Sequence, residues 1–176
     1  GAKTVMVGHI RQPAGSKRLD PSLKDEDIRP GLIAPELLNG LLRGELGFNG
    51  LIVTDSSTMA GMGTVMPRER AVPLTIASGC DMFLFTKNLE EDFGFMRRGV
   101  EEGVITRERL DEAVTRILAL KASLGLHKKD NLPDRERALK VVGCPEHAAT
   151  AREVAEKSIT LVKEEKGVLP VSPEKY

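Results

Sequence analysis

The most informative stretch of the chain is LIVTDSSTM, residues 51–59. Its first four residues are apolar or β-favouring, and they run directly into Asp55 and two serines. A strand that is apolar at every position, and not only at alternate ones, is typical of a parallel sheet covered by helices. The stretch therefore predicts a buried strand over residues 51–55 that brings a carboxylate to the edge of a sheet.

Two more apolar runs predict strands, TVMVG at residues 4–8 and MFLFT at residues 82–86. Helical patterns lie between and after the three runs. They are APELLNGLLRGEL from residue 34, RERAVPLTIAS from residue 68, NLEEDFGFMRRGVEEG from residue 88 and TRERLDEAVTRILALKASLGL from residue 106. Alternating strands and helices indicate an α/β fold, either a doubly wound sheet or a (β/α) barrel.

These helical patterns carry their own start and stop signals. Thr106 is an N-cap candidate, and Gly47 and Gly79 end two of the helices. Pro73 conflicts with the helical pattern in which it lies, and a helix tolerates a proline only in its first turns or at a kink. The predicted buried stripe of the first helix is Leu37, Leu38, Leu41, Leu42 and Leu46, and that of the last helix is Ile105, Leu110, Val114, Ile117, Leu118 and Leu120.

The connection after the first strand is unusually long. It covers residues 9–33, whereas a loop between a strand and a helix usually has about 2–6 residues. It leaves the carboxyl end of a strand, where long loops form the active sites of barrels and where open α/β sheets bind ligands. The charged runs KDEDIR (24–29) and LEED (89–92) are interpreted as solvated faces or first turns of helices, and Arg43 as a helix-surface anchor.

Three parallel strands cannot close a barrel, and an open sheet of this size would expose an apolar edge. We therefore interpret the chain as a piece of a larger fold, whose exposed sheet edges can self-associate. After Leu126 the composition becomes polar, which predicts an interdomain linker over residues 127–148. Residues 149–176 then begin a second domain, with PEHAATAREVAEKS as a helix and ITLVKEEKGVLPV as a strand and turn.

Composition and charge exclude several classes of partner. The 26 basic residues balance the 26 acidic ones, so no net field attracts nucleic acid or an anionic membrane surface. No window approaches the roughly 20 apolar residues of a membrane span.

Cys80 and Cys144 lack the spacing of a metal site, and both are interpreted as free cysteines. No metal and no cofactor is predicted.

The order of several segments resembles the family 3 glycoside hydrolases over nearly the whole chain. The segments are TVMVGHI, LLRGELGFNGLIVTDSSTMAGM, ASGCDMFLF, ITRERLDEAVTRILALKASLGL and AREVAEKSITLVKEEKGVLPV. The resemblance implies the last three βα units of a (β/α)8 TIM-type barrel (residues 1–126), followed by the linker and the beginning of a second α/β sandwich domain. It also implies that Asp55 ends the seventh barrel strand and is the catalytic nucleophile of a retaining exo-β-glycosidase acting on a carbohydrate substrate. The alternative for Asp55 is a residue that only caps the following turn.

The residues around Asp55 bear on the branch of the family. The β-glucosidase branch usually has Trp directly after the nucleophile, whereas this chain has Ser56 there. Asp55 and Met59 match a D-x-x-x-M pattern of the β-N-acetylhexosaminidase branch, and His9 in VGHI matches that branch's M-x-x-H motif. The resemblance therefore implies terminal N-acetylglucosamine as the sugar, with His9 and Met59 as substrate-binding residues. The alternatives are that His9 only hydrogen-bonds a loop carbonyl and that Met59 is a packing residue. β-Glucosidase or β-xylosidase activity is the alternative within the family.

No residue of this chain matches the family's general acid. In the acetylglucosaminidase branch that acid is an Asp-His pair in a loop after the fifth strand, and in the glucosidase branch it is often a Glu of the second domain. We therefore expect the isolated chain to be inactive. A noncatalytic binding or structural fragment is the alternative from another functional class.

Overall fold

A computed structural model of the chain describes residues 1–128 and 132–174. It divides into two units, Gly1–Lys129 and Asp130–Tyr176. The strands of the first unit are β1 (Thr4–Val7) and β2 (Leu51–Thr54). Its α-helices are α1 (Pro13–Leu19), α2 (Ala60–Gly63), α3 (Arg68–Ser78), α4 (Leu89–Glu101) and α5 (Arg107–Ser123), and a π-helix spans Glu36–Glu45.

The predicted parallel pairing of the first two strands is confirmed. β1 and β2 run parallel in a register that pairs Thr4 with Leu51 and Val7 with Thr54. All four residues of β2 are buried, as its continuous apolar run predicts. β1 alternates between exposed and partly buried residues, and Met6 is 53% exposed. β2 is therefore the covered strand of the pair.

The third predicted strand, residues 82–86, is wrong. This segment forms a single parallel bridge, between Val53 and Met82, and the ladder then stops. The hydroxyl of Thr54 accepts the Leu84 N–H at 2.9 Å, which replaces a ladder hydrogen bond. Phe85 has a φ of 53°, a left-handed conformation that cannot continue a strand. The segment thus lies beside β2 without becoming a strand.

The first predicted helix forms, with a different winding. Over Glu36–Glu45 it is a π-helix, and the Leu46 N–H donates to the Leu41 carbonyl five residues back. Leu38 is buried, but Leu46 is 66% exposed and leaves the predicted stripe. The physical reason is that a wider helix turns less per residue, so an apolar face spaced for an α-helix drifts out of register.

The next two helices agree with their sequence signals. α3 ends at Gly79, which has a φ of 132°. Pro73 lies inside α3 and is buried against Gly99 of α4. α4 begins at Asn88, whose side chain accepts the Glu91 N–H. The two helices thus pack closely where a proline meets a glycine.

α5 is capped as predicted, since the Thr106 side chain accepts the Arg109 N–H. Its predicted apolar stripe is only partly covered. Ile105 is buried, whereas Val114 is 41% and Leu118 58% exposed. The described residues therefore leave part of this apolar face open to solvent.

The connection over residues 9–33 is packed, and it contains α1 and short 3₁₀ turns at Asp25–Asp27 and Gly31–Ile33. Ile28, Leu32 and Ile33 are at most 3% exposed. Leu32 and Ile33 belong to the hydrophobic core, which also contains Ile52 of β2 and Val72 of α3. The segment therefore covers β2 like an element of the fold and not like a mobile loop.

The second unit contains α6 (Arg135–Val141) and α7 (Pro145–Ser158). α7 confirms the predicted helix, and α6 lies inside the segment assigned to a linker. The strand predicted in ITLVKEEKGVLPV is wrong in the described residues: Ile159 and Val162 are 80% and 91% exposed, and a strand needs a neighbour to pair with. Residues 129–131 of the predicted linker and 175–176 of the predicted second domain lie outside the described residues. The domain boundaries stay a prediction.

Within the part of the chain that is described, no helix combines the length and the apolar character that crossing a membrane requires.

Candidate active site

Asp55 lies directly after β2, at the carboxyl end of the strand. Its N–H donates to the Val7 carbonyl at 3.0 Å, which extends the parallel pairing by one residue. Its carboxylate oxygen Oδ1 accepts the Ser56 N–H at 2.7 Å, and the residue is partly buried. A short side chain at the end of a buried strand has little freedom, so the sheet determines where this carboxylate points.

His9 lies two residues after β1 and contacts the loop that follows Asp55. Its ring nitrogen Nε2 is 2.9 Å from the Ser56 carbonyl oxygen. A carbonyl only accepts, so Nε2 carries the proton of this hydrogen bond. Nδ1 is buried and has no hydrogen-bond partner among the described residues. Gly61 lies close to this histidine, since a Cβ added at Gly61 would lie 2.6 Å from the His9 Cβ.

Met59 belongs to the same loop as Asp55. It precedes α2, is 47% exposed, and donates its N–H to the Ser56 carbonyl at 3.2 Å. That carbonyl is the one His9 contacts. Met62, by contrast, is 3% exposed and packs in the core. The structure thus brings Asp55, His9 and Met59 together around Ser56.

Arg68 and Asp92 also hold this loop, and neither was predicted from the sequence to be a site residue. The Arg68 Nη1 donates to the Ser57 carbonyl at 2.7 Å. Its Nη2 lies 2.6 and 2.7 Å from the two carboxylate oxygens of Asp92, which is 2% exposed. Asp92 also accepts the Lys87 N–H at 2.9 Å. A buried ion pair therefore connects α3, α4 and the loop after β2.

The interpretation of the run LEED as a solvated face is wrong for Asp92. Its first-turn position was anticipated, but its burial was not. The signal lay in the helical period, which places Asp92 on one face with Phe95, Met96 and Gly99. Phe95 and Met96 pack against the hydrophobic core. No local feature of the sequence marks Arg68 as its partner.

A second buried ion cluster occupies the opposite end of β2. The Asp81 carboxylate accepts the Ile52 N–H at 3.0 Å, and it pairs with Arg43 and Arg109 at 2.6 Å and with Arg116 at 3.2 Å. Arg43 also donates to two backbone carbonyls before β2. The Arg43 side chain is therefore largely buried and links Asp81 to the backbone before β2, and it is not an anchor on the helix surface. Burial lowers the pKa of Arg43. The cluster stabilises the start of β2, away from Asp55.

The cysteines take no part in the site. Cys80 and Cys144 are both free, which confirms their interpretation from the sequence. Burial raises the pKa of the Cys80 thiol to about 12. Among residues 1–128 and 132–174, no group of three or more His, Cys, Asp or Glu side chains could hold a metal ion.

Comparisons with known proteins concern the segment that carries this site. The family model described as "Glycosyl hydrolase family 3 N terminal domain" matches residues 1–120. The protein of Cellulomonas fimi called beta-N-acetylglucosaminidase/beta-glucosidase is 67% identical over 100% of this chain, which spans 31% of that protein. Beta-hexosaminidase A of Pseudoalteromonas piscicida is 29% identical over 95% of the chain and 29% of its own length.

Two solved structures are also similar. A beta-glucoside phosphorylase matches with a TM-score of 0.84 and 47% identity, over 99% of this chain and 32% of its own. A glycoside hydrolase family 3 beta-N-acetylglucosaminidase from Paenibacillus sp. str. FPU-7 matches with a TM-score of 0.69 and 27% identity, over 94% of this chain and 30% of its own. The chain therefore spans about a third of the length of these relatives.

Proposed function

The chain belongs to the family 3 glycoside hydrolases, and from this premise we propose that Asp55 is the catalytic nucleophile of a retaining exo-β-glycosidase. The observation that carries the proposal is the place of Asp55 at the carboxyl end of the buried strand β2, inside the segment that the family model matches. Its carboxylate is held by the Ser56 N–H at 2.7 Å. Such a carboxylate has the chemistry and the rigidity that a covalent step requires.

The proposed reaction has two displacements at the anomeric carbon. An Asp55 oxygen attacks that carbon, the glycosidic bond breaks, and a general acid protonates the leaving oxygen. The acid lies outside this chain, at the distance of about 5–5.5 Å from the nucleophile that retaining enzymes use. Water then attacks the glycosyl–Asp ester and gives up a proton to the former general acid, which now acts as the base. This step releases the sugar with retained configuration and restores the Asp55 carboxylate.

We further propose that the chain supplies the last three βα units of a (β/α)8 barrel and the opening of a second domain. The parallel pair β1–β2 and the parallel bridge at Met82 support three adjacent parallel segments. In the longer protein, the parallel bridge at Met82 would mark the position of the third of these units. The exposed apolar residues of α5 would then be covered by the rest of the barrel.

The sugar we propose is terminal β-linked N-acetylglucosamine, with His9 and Met59 lining its site. The D-x-x-x-M spacing and the names of the relatives support this assignment. β-Glucosidase activity is the first alternative, because the relative from Cellulomonas fimi carries both names. β-Xylosidase activity is a weaker one, supported by a 32% identical beta-xylosidase of Formosa agariphila.

Phosphorolysis is a second candidate function, favoured by the beta-glucoside phosphorylase that matches 99% of this chain with 47% identity. The first displacement at Asp55 would be unchanged. Inorganic phosphate, instead of water, would then attack the glycosyl–Asp ester and yield a sugar 1-phosphate. The two functions therefore differ in the acceptor and not in the nucleophile.

One experiment tests the nucleophile and separates these alternatives. The full-length enzyme is treated with 5-fluoro glycosides of the candidate sugars, because a fluorine at C2 would replace the acetamido group of N-acetylglucosamine. The labelled peptide is mapped by mass spectrometry. We expect one sugar per chain on Asp55, within LIVTDSSTM. Turnover of aryl β-N-acetylglucosaminide, β-glucoside and β-xyloside, each with and without inorganic phosphate, identifies the sugar and the acceptor. A label on another carboxylate would contradict the assignment of Asp55.

A further inference from the structure

We propose that Arg68 and Asp92 form a buried clamp that positions the Asp55 carboxylate for attack, an inference that rests on the proposed role of Asp55 as the nucleophile. Neither residue forms a hydrogen bond or an ion pair with Asp55. Both act through Ser57, two residues further along the chain. They are therefore positioning residues and not catalytic ones.

The loop after β2 transmits this effect because its backbone is tied at successive residues. The Asp55 carboxylate is oriented by the Ser56 N–H, so any displacement of Ser56 reorients it. Ser57 is held by its N–H, which donates to the Leu84 carbonyl at 3.3 Å, and by its hydroxyl, which donates to the Phe85 carbonyl at 2.5 Å. Arg68 adds the hydrogen bond at 2.7 Å to the Ser57 carbonyl.

Arg68 is suited to this task by its shape. One terminal nitrogen, Nη2, binds both oxygens of Asp92, while the other, Nη1, binds the Ser57 carbonyl. The planar guanidinium keeps these two partners at a constant separation, whereas the single ammonium of lysine is a point charge on a flexible stem. Charge alone therefore does not reproduce the clamp.

Asp92 determines where the guanidinium lies. It occupies the first turn of α4 and accepts the Lys87 N–H, so its carboxylate is anchored before Arg68 binds it. The pair is largely removed from solvent, with side-chain exposures of 20% for Arg68 and 2% for Asp92. A buried pair of this kind loses stability when one partner changes. A test must therefore separate positioning from stability.

The chain offers a matched control for that purpose. Arg43–Asp81 is also an Arg–Asp ion pair, with a separation of 2.6 Å and side-chain exposures of 15% and 0%, and Asp81 has Arg109 and Arg116 as further partners. It lies at the opposite end of β2, where Asp81 accepts the Ile52 N–H. Arg43→Lys therefore perturbs the same strand by the same chemical change, without touching the loop of Asp55.

The experiment measures covalent labelling of the full-length enzyme by a 5-fluoro glycoside. The wild type, Arg68→Lys and Arg43→Lys are compared. For each protein, the maximal labelling rate, the half-saturating concentration of the probe and the Tm are measured. We expect Arg68→Lys to lower the maximal rate by about 10- to 100-fold, because small misplacements of a reacting group have effects of this size. The half-saturating concentration should stay within about threefold. Arg43→Lys should also lower the Tm and should leave the maximal rate within about twofold.

Asp92→Asn is the second variant, used if Arg68→Lys does not fold, and it should give the same selective loss of rate. Equal slowing in Arg68→Lys and Arg43→Lys would overturn the clamp as a positioning device and leave Asp55 as the nucleophile. A normal labelling rate in a folded Arg68→Lys or Asp92→Asn enzyme would also overturn it. If Asp55 is not labelled in the wild type, the proposed function fails, and this inference fails with it.

Discussion

Asp55 is the side chain on which the proposed chemistry depends, and its contacts separate catalysis from folding. In the full-length enzyme, Asp55→Asn should lower turnover by a factor on the order of 10³ or more, since the covalent step needs a charged nucleophile. Stability should change little, because the asparagine oxygen can still accept the Ser56 N–H and no core side chain is removed. Steady-state kinetics and thermal unfolding of the purified variant measure the two effects.

Asp134→Asn is the matched control for this prediction. Asp134 also accepts backbone N–H groups, those of Glu136 and Arg137, at the start of α6. Its substitution removes the same charge from a capping carboxylate and should leave turnover unchanged. Near-normal turnover in Asp55→Asn would show that Asp55 is not the nucleophile and only forms the turn.

Cys80 predicts a pH dependence of stability. Burial, reinforced by the neighbouring Asp81, raises the pKa of its thiol from 9.0 to about 12. Between these values the unfolded chain loses the thiol proton and the folded chain keeps it, so the unfolded state binds fewer protons. The free energy of unfolding contributed by Cys80 is therefore complete below about pH 9 and falls as the pH rises, by at most about 1.4 kcal/mol per pH unit.

Urea unfolding of the wild type, Cys80→Ala and Cys144→Ala between pH 8 and pH 11 tests this prediction. The wild type and Cys144→Ala should lose stability more steeply with pH than Cys80→Ala, in which the buried thiol is absent. Parallel curves for all three proteins would show that the Cys80 thiol titrates at its ordinary pKa in the folded state.

The contact between α3 and α4 depends on a single glycine. A Cβ at Gly99 would lie 2.5 Å from the Cβ of Pro73, whose ring has little freedom to move aside. Gly99→Ala should therefore separate the two helices and lower the free energy of unfolding by about 1–3 kcal/mol. Urea unfolding measures the change.

Gly94 provides the control within the same helix, because a Cβ there meets nothing within 4 Å. Gly94→Ala should raise the free energy of unfolding by about 0.5–1 kcal/mol, since alanine loses less conformational entropy in a helix than glycine does. If the two substitutions change the free energy of unfolding by the same amount and in the same direction, the close approach of α3 and α4 at Gly99 does not limit their packing.

For the chain as a unit, the expectation is that it lacks glycosidase activity by itself. The proposed reaction needs a general acid, which we propose lies outside this chain, and general acid catalysis contributes about 10²- to 10⁴-fold. The purified chain should therefore release no aryl group from activated β-glycosides above the rate of its own Asp55→Asn variant. Steady turnover that Asp55→Asn abolishes would contradict this and place an acid within residues 1–176.

Self-association of the isolated chain is the second expectation for the chain as a unit. β1 exposes backbone groups and Met6 at an edge of the two-stranded sheet, and α5 exposes Val114 and Leu118. Unpaired edges and apolar patches of this kind promote association. Light scattering after size-exclusion chromatography should detect a species larger than the 19.2 kDa monomer, increasing with concentration. A strictly monomeric chain at all concentrations would contradict the prediction.

The amino-acid sequence by itself determined the elements whose causes are local. The apolar run of β2, the Thr106 cap of α5, the Gly79 end of α3 and the helix α7 were all predicted from residues within a few positions of each other. The place of Asp55 at the end of β2 belongs to this group, because a strand and the residue after it are contiguous. Its role as the nucleophile stays a prediction that rests on the family resemblance.

The tertiary structure alone decided the features that depend on distant partners. The segment 82–86 stops after one bridge because the Thr54 hydroxyl, 30 residues earlier, binds the Leu84 N–H. Arg68 pairs with Asp92, which is 24 residues away in sequence, and Arg43 pairs with Asp81, which is 38 residues away. No local pattern encodes such pairs. A buried charge without a partner is costly, and the residue that offsets this cost can belong to any element that the fold brings near it.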